Sequence, residues 1–181
     1  NGDKTCNGNG DGIVGGAGDL LGEQYRAWQH LSAGDYLTAT FTGTKERADG
    51  PGATAVSNTA PGENVPAGKL TNSGYSLRSE GEFTGNANAT YFDGNYNNAM
   101  FFGAPKVGDD TVNPSLKTQE AREIDEKTDD MSPATGAIRS IKNGAGSTPS
   151  CVATDGKYNE MNRDLSCALI FMNTYQKKNG Y

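Results

Sequence analysis

The chain has 181 residues, a length that suits one domain. Its net charge of −6 and pI near 4.8 exclude a general binder of nucleic acid or of anionic membranes. Leu, Ile, Val and Phe together number only 26, below the ~20% of residues at which burial capacity becomes weak. Trp28, eight Tyr and six Phe nevertheless fall in clusters. The composition therefore predicts a folded, loop-rich domain whose small core needs a disulfide, a metal or a partner. There is no transmembrane run and no signal peptide, and the first residue is Asn1, so the sequence reads as a mature or trimmed piece.

In chain order, residues 1–18 are mostly Gly, Asn and Asp and read as a loop. Asp19 is placed to cap a helix running to about Ala33. Leu21, Tyr25, Trp28 and Leu31 fall on one face of it, and Gly34 is placed to end it. Tyr36 to Thr42 is rich in β-branched and aromatic residues and reads as a strand or extended segment. Gly43 to Asn72 is a long Gly, Pro, Ala, Asn and Thr stretch, a surface loop of a length that is usually functional or mobile. Short strands are expected at Gly74–Arg78, Ala89–Phe92 and Ala99–Gly103, punctuated by the turn pairs Asp93-Gly94 and Gly108-Asp109. A second helix is expected from Leu116 to Thr128, with Ala121, Ile124 and Thr128 on one side and Pro133 and Gly136 closing the region. The mixed charges from Glu120 to Asp130 read as its solvated face. Ala137–Ile141 and Ala168–Met172 are the last strands. The order predicts an α+β fold, one domain over residues 1–181, with a mainly antiparallel sheet, two helices and long loops.

Motifs for catalysis are weak. Gly10-Asp11-Gly12-Ile13-Val14-Gly15 has the glycine spacing of a dinucleotide fingerprint, but no strand fits before it. Gly62 to Lys69 has one residue too many between its glycines for a phosphate loop, and Leu70 stands where a magnesium-binding hydroxyl belongs. His30 is the only histidine, whereas catalytic triads and zinc sites draw on His, often on several. Asp129 and Asp130 adjoin at a helix end, where capping or solvation is their expected role. The residues thus point away from an enzyme.

Asn7, Asn9 and Asp11 offer side-chain oxygens at alternate positions, followed by Gly12 and the carbonyl of Ile13. That is the front half of a calcium loop. The back half lacks its bidentate Glu, for which Asp19 or Glu23 would have to substitute. The same dipeptides are also ordinary turn formers. Of the three cysteines, Cys6, Cys151 and Cys167, the last two enclose a short polar loop. A bridge there would stabilise by about 3 kcal/mol and imply an oxidising compartment; the alternative is two unpaired buried thiols. Cys6 is left either free or paired with another chain.

Three stretches together resemble the type IV pilin and type II secretion pseudopilin family. The Gly/Asn/Asp loop leads into Tyr25-Arg26-Ala27-Trp28-Gln29-His30-Leu31. Leu116 to Asp130 is followed by Pro133, Thr135-Gly136 and a short strand. Cys151 and Cys167 bracket a loop before the last apolar strand. The likeness covers roughly the first forty and the last seventy residues. It implies a pilin-like head, with a disulfide-closed loop near its C-terminus, in a pilus or pseudopilus filament on the cell surface. Such a head is held at the inner membrane before assembly. The implied partners are other pilin subunits and the assembly machinery. Family heads pack their sheet against a long apolar N-terminal helix. The likeness therefore predicts an exposed apolar groove, lined by residues such as Leu169 and Phe171. It would be filled by a helix of the same chain or of a separate short subunit.

The competing expectation is a binding module: a calcium-dependent surface adhesin, or a glycan- or partner-binding domain. Its contacts would come from the loop at Gly43 to Asn72 and from Tyr91, Phe92, Tyr96, Phe101 and Phe102. Exposed rings would favour that expectation, and buried rings the filament subunit.

Overall fold

The computed structural model describes residue 8 and residues 10–15, 22–44, 59–142 and 150–172. Among them are two helices and eight short strands, in an α+β arrangement with antiparallel pairing throughout the ladders.

Helix α1 spans Glu23–Ala33. Tyr25 is fully buried and Trp28 nearly so, while Leu31 lies at the exposed rim, so the predicted apolar face holds for its first two turns. The helix starts at Gly22, which takes a left-handed φ of 68° and offers no side-chain cap; Asp19 and Leu21 lie outside the described residues. Gly34 ends the helix as expected, its N–H donating to the His30 carbonyl, but the left-handed residue is Asp35 at φ 60°. Residues 36–42 form no strand. Ser32 Oγ donates to the Ala39 carbonyl and Thr42 N–H to Glu63, so the segment's backbone is engaged by a helix end and a loop instead of a neighbouring strand.

The central sheet has the order β1-β4-β8-β6, with β1 at Gly74–Arg78, β4 at Ala99–Gly103, β6 at Ile138–Ser140 and β8 at Leu169–Phe171. Two small ladders flank it. One joins β2 (Glu82–Phe83) to β3 (Gly94–Asn95), and the other joins β5 (Leu116–Lys117) to β7 (Leu165–Cys167). The strand expected at Ala89–Phe92 is absent. Asn88 Oδ1 accepts from the N–H groups of both Thr90 and Tyr91, a side-chain turn that competes with a ladder. Tyr91 and Phe92 are also both buried, where a strand with one solvated face would alternate. Residues 59–72 are irregular, tied by bridges such as Ala67 to Gly74 and by hydrogen bonds such as Asn64 Nδ2 to the Thr44 carbonyl.

Helix α2 spans Thr118–Thr128; Leu116 and Lys117, expected in the helix, belong to β5. Glu120 Oε2 accepts the Lys117 N–H and fixes the helix start. The buried stripe is Thr118, Ala121 and Asp125, with Ile124 half-buried and Thr128 exposed. The Cys151–Cys167 disulfide is formed and lies fully buried beneath this helix side.

Candidate functional site

Cross-strand partners share a face of a sheet, so the registers place Tyr75, Phe102, Leu169 and Ser140 in one row of the central sheet. Leu77, Met100, Phe171 and Ile138 make the row beside it, on the same face. The first row is closed over at Phe102, Leu169 and Ser140, with Tyr75 half-buried at its edge. Leu169 is completely buried, packed with Phe102, Leu116, Ala121, Ile138, Tyr158 and the disulfide. The groove expected at Leu169 is therefore filled by the chain's own α2 and its disulfide loop. The second row is different. Leu77, Met100 and Phe171 are each half-buried, and only Ile138 is closed over. The half-open strip runs straight across three strands. Leu77 and Met100 pack on one side against the cluster of Tyr25, Trp28 and Phe41, and Phe171 packs against the α2 side.

The sheet's other face carries Phe101 and Ile170, both fully buried among Tyr91, Tyr96, Val112 and Ile141. Tyr91 and Tyr96 pack with ring centroids 5.4 Å apart, and Phe83 stacks on Tyr91 at 5.0 Å. Tyr91, Phe92, Tyr96, Phe101 and Phe102 are all at most 8% exposed, so they form core and not a platform for a sugar.

Of the calcium candidates, Asn7, Asn9 and Asp19 lie outside the described residues. Asp11 and Glu23 line one cleft of about 320 Å³ together with Ile13, Arg26 and His30. Asp11 Oδ1 accepts the Ile13 N–H at 2.7 Å, closing a local side-chain turn. Glu23, nearly buried at the first turn of α1, accepts the Gly15 N–H at 3.1 Å. Asn98 anchors this loop to the sheet: its Oδ1 accepts from Val14 N–H, and its Nδ2 donates to the Gly12 carbonyl, each at 2.7 Å. Ile13 is 47% exposed. The fold thus brings Asp11 and Glu23 to the same cleft.

A second acidic group, Asp125, Asp129 and Asp130, places one oxygen from each residue within 4.8 Å of the others. All three are occupied by the protein itself. Asp125 accepts the Met131 N–H and the Tyr158 hydroxyl, Asp129 accepts the N–H groups of Ala137 and Ile138, and Asp130 accepts Ser132 N–H and Thr135 Oγ1. They clamp the turn that carries the chain from α2 into β6. Burial raises the Asp125 carboxyl above its ordinary value, and burial beside Asp125 raises the Tyr158 phenol.

One polar centre had no signature in the sequence. Arg78, at the end of β1, is almost buried and meets Glu80, Asp109 and Asp110. Its Nη2 donates to Tyr91 Oη at 3.1 Å, and its guanidinium lies 5.4 Å from the Phe101 ring centre. Asp110 is fully buried. Its Oδ2 stands 2.6 Å from Arg78 Nη1 without lying along an N–H direction, and Gln24 Nε2 of α1 donates to Oδ1 at 3.4 Å. Burial pushes the Asp110 carboxyl up to about 6 despite the Arg78 charge. Burial also acts to raise Asp109, but Arg78, the Asp110 N–H and Lys106 outweigh it and hold Asp109 below the ordinary carboxylate value. Residues at 78 and 109–110 are too far apart in the chain for spacing to have linked them.

His30 is exposed on α1. No helix among the described residues is long and apolar enough to cross a membrane. No family model matches this chain, and no curated protein and no solved structure matches it.

Proposed function

We propose that this chain is the head of a non-catalytic structural subunit of a type IV pilus-like or type II secretion pseudopilus filament. The supporting observation is the half-open strip of Leu77, Met100 and Phe171, three apolar residues side by side on one face of the central sheet. A straight apolar row between two flanking helices suits an apolar helix laid across it, because such a helix removes side chains from water without disturbing any ladder. The burial of the aromatic cluster and the α2-turn-β6 unit clamped by Asp125, Asp129 and Asp130 are in keeping with the family resemblance. In this assignment the helix comes from the same polypeptide or from a short separate subunit. It anchors the head in the inner membrane before assembly and forms the filament core afterwards. The test is the mass and N-terminal sequence of the protein isolated from the cells that make it. A longer chain with an apolar helix ahead of Asn1, or an equimolar helical partner, supports the assignment. A native chain that starts near Asn1 and has no such partner removes it.

The second proposal is a calcium-dependent recognition domain, favoured by one observation, the convergence of Asp11 and Glu23 on a single cleft. Calorimetric titration with calcium chloride decides it. Binding that is lost in Glu23→Gln supports a calcium site; the absence of heat at millimolar calcium disposes of it.

A further inference from the structure

The Arg78 centre holds more negative charge than it can neutralise. Around Asp110 stand Arg78 from β1, Glu80 just beyond β1, Tyr91 from the segment before β3, Gln24 and Tyr25 from α1, and Asp109 and Lys106 from its own loop. One guanidinium thus serves three carboxylates, and the Lys106 ammonium reaches only Asp109, at 3.0 Å. The phenols of Tyr25 and Tyr91 are both pushed up to about 12, chiefly by burial, so neither carries charge near neutral pH. Asp109 is fully engaged by Arg78, Lys106 and the Asp110 N–H. Asp110 is the deepest carboxylate, and its only charged partner is the shared Arg78, whose Nη1 stands 2.6 Å from Oδ2 off the N–H direction. Beside it the Gln24 carbonyl oxygen, also buried, has no donor. A neutral carboxyl would suit both groups: its O–H donates to Gln24 Oε1 once the side-chain amide turns over. An ionised one has only the long Gln24 contact and an off-axis guanidinium, in a place where unpaired charge is costly.

We propose that Asp110 is a proton-operated latch between α1 and the loop at 104–113: the carboxyl, taking a proton from water, donates to Gln24 and holds the helix down, and its ionisation loosens the first turns of α1. The latch does not depend on the filament assignment. It makes the docking of α1, which lies beside the half-open strip, tighter in mildly acidic solution than at neutral or alkaline pH. The direction is opposite to ordinary acid denaturation, in which carboxylates that are well paired in the native state must be protonated.

Hydrogen exchange with the full chain, expressed as protection factors, reads the latch. The chain's single histidine also lies on α1, so the experiment is run in a His30→Gln background. Protection of the α1 amides is expected to fall by about tenfold between pH 5 and pH 7.5. In Asp110→Asn the α1 amides are expected to show no such change. If Asp110→Asn does not fold, Gln24→Leu replaces it, and its α1 protection at pH 5 should drop to the level of the unsubstituted chain at pH 7.5. Equal α1 protection at both pH values overturns the latch, as does a pH dependence that survives in Asp110→Asn. In Gln24→Leu, undiminished protection at pH 5 also overturns it.

Discussion

On one face of the central sheet, Leu169 and Phe102 are sealed by α2 and the buried disulfide, with one carboxyl, Asp125 of α2, bonded to the Tyr158 hydroxyl at their edge. On the other, Phe101 and Ile170 share their space with a guanidinium that three carboxylates surround. The first face gains stability from apolar burial and a covalent link, which respond little to pH. The second is held by electrostatics in a poorly solvated place, where the protonation of a single group changes the balance. A chain with only 26 Leu, Ile, Val and Phe residues cannot fill both faces with aliphatic side chains. Both faces combine a few aliphatic side chains with aromatic rings, and the face away from α2 adds the Arg78 ion pairs.

The largest expected effect is on the apolar face. Leu169→Ala should cost about 3–4 kcal/mol in urea unfolding, since Leu169 is fully buried and α2 is held by β5 and the disulfide. A loss below about 1 kcal/mol would mean that this face is not the stable half. Replacing Cys151 and Cys167 by Ala together should cost about 3 kcal/mol for a cross-link between residues 16 apart. The loss should be the same at pH 5 and pH 7.5.

The polar face should show a pH dependence carried by Asp110. The folded-state value of Asp110, about 6, lies above that of an unfolded aspartate. The folded protein therefore binds the proton more tightly. The resulting stability is fully present below the unfolded value and is lost as pH rises through about 6. Between pH 4 and pH 7.5 this amounts to a loss on the order of 2–3 kcal/mol. Unfolding midpoints across that range should decline in the native sequence and lose most of that slope in Asp110→Asn. A midpoint that rises with pH in the native sequence would contradict the sign. A smaller effect, about 2 kcal/mol, is expected for Gly136→Ala. Gly136 sits at φ 74°, where an added Cβ would strike the Asp129 carboxylate that holds β6. Thermal unfolding measures it, and an unchanged melting temperature would show that the acidic turn does not anchor β6. Smallest is Met100→Gln on the half-open strip, about 1 kcal/mol or less for the isolated chain. Its effect should appear in assembly, as loss of filaments or of a bound helix with little loss of fold.

Much of this was readable from the residues, and the failures share a cause. β1 and β4 match the sequence expectation at both ends, because Ala99–Gly103 is mostly apolar and turn-forming residues bound both strands. The end of α1 was legible from Gly34 and its face from Tyr25 and Trp28. The start of α2 was misplaced by two residues, because Leu116 and Lys117 pair with β7, some fifty positions on, in a ladder that local pattern does not reveal. The segment at Ala89–Phe92 has strand-forming residues, yet the Asn88 side chain takes the N–H groups that a ladder would need. The groove expected at Leu169 and Phe171 was displaced by one row: Phe171 belongs to the open strip, whereas Leu169 lies under α2. Leu77 and Met100, its other members, could only be joined to Phe171 once the register was known. The Arg78 centre was invisible for the same reason, since it gathers residues from a strand, a helix and a distant loop.

The central claim is that the Leu77, Met100 and Phe171 strip receives an apolar helix. A photo-activated cross-linker placed at Met100, irradiated in the cells that make the protein and mapped by mass spectrometry, tests it most directly. Adducts should fall on an apolar helical segment, either of the same polypeptide or of a subunit of the same filament, and should disappear when the linker is moved to the buried Leu169. A linker at Met100 that captures only solvent, with the protein folded and present at its usual level, would contradict the account.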